Sequence, residues 1–184
     1  MTFMKKYLFI VLLVGVCFGQ APDTLWTRTF GSSGEEIGRK VINTSDGGFA
    51  MVGHSNSNPQ AGYVQKLNQQ GLPQWDLYFN NIIDIQLVSI KQTEDQGYIC
   101  AGYSSYYDWN STFILLKINS EGQVDWSRTY EDFSINGMAL DLIKTNDGGY
   151  AMIGYEYADD FETCKIKVIK TDTNGVPDWA YEYG

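Results

Sequence analysis

The sequence contains one histidine, three cysteines and, outside its N-terminal segment, no long apolar run. A single histidine, His54, cannot supply a histidine-based zinc site, and no phosphate-binding glycine loop with its lysine is present. Three cysteines are too few for a scaffold built on disulfides. Asp and Glu outnumber Lys and Arg by 22 to 13, and the net charge of −9 disfavours nucleic acid and anionic lipid as partners.

The N-terminal segment has the layout of a secretory signal peptide. Lys5 and Lys6 precede the apolar run Tyr7–Val16, and small or polar residues follow it. We therefore expect residues 1–19 to be a signal that is removed after Gly19, and the remainder to be secreted or held at the cell surface. The run is about half the roughly 20 residues that a membrane-spanning helix needs. We expect no membrane insertion after cleavage, and a retained N-terminal anchor is the alternative.

Two cysteines remain once Cys17 has left with the signal. Cys100 stands where the other repeats have Met51 and Met152, so we expect it to be a small buried hydrophobic residue. Cys164 has no counterpart. The pattern favours two free thiols, with a disulfide between Cys100 and Cys164 as the alternative.

The chain repeats itself at intervals of about 50 residues, which indicates a tandem architecture. Each repeat begins with a tryptophan that an aromatic residue follows four positions later, and each contains an Asp-Gly turn. The tryptophans are Trp26, Trp75, Trp126 and Trp179, and the turn residues are Asp46, Gly47, Asp95, Gly97, Asp147 and Gly148. A strand that ends in lysine follows each turn, at Lys66, Lys117 and Lys170.

Each repeat contains four short strand patterns and no helical periodicity. The Asp-Gly pair suits a tight hairpin turn. The glycine inside the second strand, as in Gly53, indicates a bend or a close approach of backbones. The tryptophan and the aromatic four residues later share one face, which we expect to point toward the next repeat. The sequence predicts an all-β fold, a β-propeller-type array of about three four-stranded blades, with a β-solenoid as the alternative.

The expected organisation is a signal at 1–19 and a repeat domain at 20–184. The approximate repeats are 26–74, 75–125 and 126–178, and residues 179–184 start another. Closed propellers have four to eight blades, so three repeats predict an incomplete ring. Our hypothesis is a fragment of a longer propeller, and the alternative is a ring assembled from several copies. Missing blades or self-association would then complete the structure.

The repeats also resemble a known family. The pattern W-x-[RK]-T-[FY]-G, then T-x-D-G-G-[FY], then K-x-[ND]-x-x-G resembles large secreted prokaryotic surface proteins described as β-propeller-like repeat proteins, many with type IX secretion sorting tails. "WTRTFG", "TSDGGFAMVG" and "KTDTNGVPDW" carry the likeness, which covers Leu25 to Gly184. Repeat two departs from the pattern, with Gln96 in place of a glycine, and no sorting tail is found. The resemblance implies the fold and no particular activity.

No catalytic set stands out, so we predict that the protein is not an enzyme and needs no cofactor. His54 lies in "GHSNS", which resembles a nucleophile elbow except that Ser57 replaces its last glycine. His54 also aligns with Tyr103 and Tyr155, which favours an ordinary strand-end ring.

Two loops are candidate binding sites. Tyr106, Tyr107, Asp108 and Trp109 combine rings with a carboxylate, which could stack on a sugar or anchor a protein. Their structural alternative is packing under the loop. The acidic cluster Asp159, Asp160 and Glu162 is a weak calcium candidate, and a solvated acidic loop is the favoured interpretation.

Three classes of function remain, and we favour an exported structural or adhesion-type interaction module. A carbohydrate-binding, lectin-like domain is the alternative, and part of a propeller enzyme ranks third. The partner is an unidentified protein or glycan.

Overall fold

The computed structural model describes residues 25–31, 34–56, 60–80, 84–105, 111–131, 136–157 and 162–184. Strands and turns account for all the regular structure in these ranges, and they contain no helix. None of them therefore holds a helix suited to crossing a bilayer. The all-β prediction is confirmed.

Twelve strands form three separate antiparallel sheets of four strands each. In each sheet the strands follow one another in chain order, so each sheet is a meander. Sheet one contains β1 (Glu36–Asn43), β2 (Phe49–Ser55), β3 (Ala61–Leu67) and β4 (Pro73–Phe79). Sheet two contains β5 (Ile85–Gln92), β6 (Tyr98–Ser105), β7 (Ser111–Ile118) and β8 (Val124–Thr129). Sheet three contains β9 (Gly137–Lys144), β10 (Tyr150–Tyr157), β11 (Cys164–Thr171) and β12 (Pro177–Tyr183).

The three sheets share an irregularity at the glycine inside the second strand, besides a shift in the pairing of the third and fourth strands. The pairing shifts by one residue beside Gly53, Gly102 and Gly154. A Cβ on any of them would lie about 2 Å from a carbonyl oxygen of the neighbouring first strand, far inside contact distance. The close backbone approach that the sequence indicates is therefore present, and it takes the form of a bulge.

The sheets stack face to face, with sheet two between the others. β5 packs against β1, β2 and β3, and β9 packs against β5, β6 and β7. The first core cluster joins sheets one and two through residues such as Val52 and Leu116, and the second joins sheets two and three through residues such as Phe113 and Met152. The first strands, each at the edge of its sheet, thus contact one another from sheet to sheet.

The stack is open at both ends. Every residue of β7 is buried, because sheet two is covered on both faces. β1 and β12 are mostly exposed, whereas every residue of β3 in sheet one is buried. The three sheets do not close into a ring.

Candidate functional site

The Asp-Gly motif forms a cross-linked turn in every sheet. In sheet one the Asp46 carboxylate accepts hydrogen bonds from the Thr44 hydroxyl and from the Gly48 amide, at 3.1 Å for the amide. Its second oxygen lies 2.7 Å from the Lys66 ammonium, which also donates to the Leu67 carbonyl. The turn between the first two strands is thereby fastened to the end of the third strand.

The same arrangement recurs in sheets two and three. Asp95 lies 2.8 Å from Lys117, and Asp147 lies 2.8 Å from Lys170. A Cβ on the glycine two residues after the aspartate, as in Gly48, would meet the Lys66 ammonium and the Leu67 carbonyl. The repeated Asp, Gly and Lys residues are therefore structural, and the sequence pattern alone did not show that the lysine is the aspartate's partner.

These bonds change the acidity of the aspartates. The hydrogen bonds from Lys66 and Thr44 lower the pKa of Asp46 to about 2. For Asp95, burial alone would raise the pKa, but hydrogen bonds from Lys117, Thr93 and the Gly97 amide outweigh it and bring the pKa to about 2. The pKa of Asp147 is lowered chiefly by Lys170. All three carboxylates are ionised at neutral pH.

Trp26, Trp75 and Trp126 each lie on the next sheet along the chain. Trp75 packs edge-on against Tyr98, with ring centroids 5.6 Å apart, and lies over Gly122, while its indole nitrogen donates to the Ser120 carbonyl at 3.0 Å. A side chain at Gly122 would strike the indole ring, so glycine is required there. Tyr98 begins the second strand of its sheet and Gly122 lies in the last turn. We call such a pair of aromatic residue and glycine a tryptophan socket.

Three sockets occur in the described chain, one in each sheet. Trp126 of sheet two occupies the socket of sheet three, which Tyr150 and Gly175 form. Trp26 occupies the socket of sheet one, against Phe49 at 5.8 Å and over Gly71. The sequence predicted that the tryptophans face the next repeat, and the structure shows this for Trp75 and Trp126.

Trp179 differs, because none of the three sockets receives it. Its ring contacts Tyr181 at 5.2 Å and is 41% exposed. It belongs to the open face of sheet three, which we define as Ile143, Ile153, Ile166, Trp179, Tyr181 and Tyr183. Each of these side chains is between 41% and 56% exposed.

The positions that correspond to Ile153 and Tyr183 are buried in the other two sheets. The register places Val52 and Ala101 where sheet three has Ile153, and both are almost fully buried. Phe79 and Tyr130 stand where sheet three has Tyr183, at 5% and 2% exposure against 55%. The open face is thus a surface of the kind that the next sheet covers elsewhere in the chain. Its exposed hydrophobic residues form one continuous patch and are not scattered singly over the surface.

At the other end of the stack, a groove of about 780 Å³ lies on sheet one. Trp26, Arg28 and Phe30 form one wall, and Val41, Phe49, Met51 and Leu67 contribute to the rest. The segment Leu25–Gly31, which has no strand of its own, therefore covers part of this face.

A second cavity, of about 790 Å³, is polar and lies between the Asp-Gly turns of sheets two and three. Glu94, Asp95, Lys117, Lys144 and Asp147 line it. Asp95 and Asp147 are held by the turn lysines, so this cavity presents carboxylates that are already paired.

The sequence-predicted sites lie largely elsewhere. Tyr106, Tyr107, Asp108 and Trp109 fall outside the described residues, as do Asp159 and Asp160 of the calcium candidate. Glu162 is described and exposed. Groups of acidic, histidine and cysteine side chains able to hold a metal ion are absent from the described ranges.

His54 and the cysteines occupy structural positions. His54 lies in β2, is 4% exposed, and its pKa is lowered by burial and by the nearby Arg39 charge. Its Nδ1 atom finds no hydrogen-bond partner in the described part of the chain. Cys100 is buried and Cys164 exposed, and both are free thiols, so the disulfide alternative is wrong.

Comparison with known proteins does not assign the chain to a family. No protein-family model matches the sequence. No curated protein matches it at a significant level either.

Proposed function

We propose that the protein is a structural and interaction module of an exported, propeller-type repeat protein, and that the open face of sheet three is its docking surface. One observation carries the proposal. Ile153 and Tyr183 of this face correspond in register to residues that are buried at the contacts between sheets one and two and between sheets two and three.

The chemistry of the open face suits another sheet as its partner. Six apolar or aromatic side chains stand on one face, and the contacts between the other sheets bury comparable apolar groups, with Arg128 donating to the Asn174 carbonyl across one of them. Burial of apolar area is the dominant favourable term in such contacts, at roughly 25 cal/mol per Å². The signal-like N-terminus supports an exported location, and the absence of a catalytic set in the sequence supports a binding role over an enzymatic one.

The proposal is tested by supplying a sheet that the open face should accept. Residues 80–130, which form the sheet that follows Phe79, are appended after Tyr183 in place of Gly184. We expect amide exchange in the appended segment and in β12 to slow strongly, because the appended sheet folds onto the open face. The matched control carries the same extension together with Tyr181→Lys and Tyr183→Lys, and there the segment should exchange freely. Free exchange in both proteins would refute the docking surface.

A carbohydrate-binding module is the second candidate, because the open face also presents rings in a row. Trp179, Tyr181 and Tyr183 alternate along one exposed strand, and such rings could stack on successive sugar units. Binding on a glycan array that Trp179→Ala abolishes would favour this candidate. Retained binding in that variant, with loss on Trp109→Ala, would place the site in the loop instead.

A further inference from the structure

The chain contains more repeat tryptophans than sockets. Trp26, Trp75, Trp126 and Trp179 are four, and the described sheets offer three sockets, at Phe49 with Gly71, Tyr98 with Gly122, and Tyr150 with Gly175. Trp179 is the one left on the surface. A second copy of the chain carries a socket of the right kind on sheet one, but Trp26 occupies it.

We propose that the protein self-associates head to tail, with the open face of sheet three of one copy docking on sheet one of a second copy, and that Leu25–Gly31 is an intramolecular plug that competes for this place. This inference rests on the proposed docking role of the open face. Trp179 of the first copy would take the socket of Phe49 and Gly71 after Trp26 has left it. The plug is lightly held, since Trp26 remains 37% exposed and its segment forms no strand.

The polar residues at the junction favour a second copy as the occupant. Lys40, Ser89 and Asp141 occupy the same register position in β1, β5 and β9. The Ser89 hydroxyl donates to the Asp141 carboxylate at 2.5 Å, across the contact between sheets two and three. Repeating that contact between copies sets Asp141 of the first copy beside Lys40 of the second, which are oppositely charged.

A second polar position is also matched. The Ser45 amide donates to the Gln92 side chain at 2.8 Å, from the turn of sheet one to the end of β5. Asn146 corresponds to Ser45 in sheet three, and Asn43 corresponds to Gln92 in sheet one. At the junction between copies the Asn146 backbone N–H would therefore donate to the Asn43 side-chain oxygen of the second copy.

Two copies would contribute six sheets, and closed propellers have four to eight such sheets, or blades. Both open ends of each copy would then be covered, and the contact between sheet three and sheet one would occur twice. A closed dimer therefore satisfies every socket in both copies. The displaced Trp26 side chains would become solvent-exposed.

The test compares the mature protein with variants of the plug and of the open face by analytical ultracentrifugation over a hundredfold concentration range. Trp26→Ala vacates the socket, and we expect at least a tenfold tighter dimer than wild type. Adding Tyr181→Lys and Tyr183→Lys to Trp26→Ala should restore the monomer, because charges then stand on the open face. A chain that starts at residue 32 removes the plug by a different route and should behave like Trp26→Ala.

Each outcome decides the proposal. A dimer strengthened by plug removal and abolished by the lysine substitutions supports it. Monomers throughout, in variants whose circular dichroism shows folded sheet, overturn it, and so does a dimer that the lysine substitutions leave intact. If the appended sheet docks in the earlier experiment while the plug variants stay monomeric, self-association fails and the docking surface stands. If neither occurs, both proposals fail.

Discussion

The three turn aspartates occupy equivalent positions, but the lysines that they pair with differ in how many acidic partners they have. Lys117 and Lys170 each have a second acidic partner, Asp125 at 3.5 Å and Asp178 at 3.0 Å. Lys66 instead has the neutral Gln74 side chain, at 2.8 Å. In the described part of the chain, Asp46 is therefore the sole carboxylate paired with Lys66, whose side chain is only 6% exposed. Removing it leaves a buried ammonium with neutral partners.

This difference predicts unequal effects of the same substitution. We expect Asp46→Asn to lower the free energy of unfolding by about 1–2 kcal/mol, because Lys66 loses its charged partner while Asp46 itself is half exposed. Asp147→Asn should cost less, since Asp178 remains beside Lys170. Urea denaturation of both variants measures this. Equal losses would show that the second acidic partner has no effect.

The same aspartate predicts a pH dependence. The pKa of Asp46 falls from 3.8 to about 2 in the folded state, so its contribution is present above about pH 4 and is lost as the pH falls through 2. The difference in unfolding free energy between wild type and Asp46→Asn should therefore shrink between pH 4 and pH 2. Urea denaturation at pH 7, 4 and 2.5 checks this. A difference that stays constant over the range would contradict the ion pair.

At the scale of strands and turns, much could be predicted from the sequence. The twelve strands follow from alternation, Asp-Gly turns and the repeat, because hairpins are local and each repeat confirms the others. The Gln96 departure was visible too, and Gln96 indeed adopts a positive φ of 64° where Gly47 has 80°. The lysine partners and the sockets were not predicted, because each depends on contacts between elements that a single repeat does not reveal.

Two glycines beside the bulge of sheet one differ in whether a side chain could replace their hydrogen. Gly53 and Gly38 are register partners in β2 and β1. A Cβ on Gly53 would lie 2.0 Å from the Ile37 carbonyl oxygen, whereas a Cβ on Gly38 meets nothing within 4 Å. Leu87 and Ala139 stand at the Gly38 position in the other sheets, so a side chain is tolerated there.

We therefore expect Gly53→Ala to destabilise the protein by about 1–3 kcal/mol, because the neighbouring strand must shift. The matched substitution Gly38→Ala should change the unfolding free energy by no more than about 0.5 kcal/mol. Thermal unfolding of the two variants provides the comparison. Similar effects at both positions would mean that the bulge does not require glycine.

At the scale of the whole molecule, stability comes from sheets covering one another in sequence. Sheet two has both faces covered and supplies most of the fully buried large side chains, whereas the outer side of sheet three is open and that of sheet one is covered in part by Leu25–Gly31. In such a stack each sheet depends on its neighbours, and a terminal sheet depends on one neighbour only. The equivalent tryptophans of an inner and an outer sheet should therefore contribute differently to folding.

Trp126 and Trp179 test this expectation, since they occupy the same register position in β8 and β12. Trp126→Ala empties the socket of Tyr150 and Gly175, and we expect a loss of about 2–3 kcal/mol, below the full cost of a core tryptophan because Trp126 is partly exposed. Trp179→Ala should cost less than about 1 kcal/mol in the monomer, because no socket surrounds it. Urea denaturation at low protein concentration measures both. A comparable loss for Trp179→Ala would mean that contacts on the outer face stabilise sheet three as much as its contact with sheet two does. The open face would then contribute to the stability of the monomer.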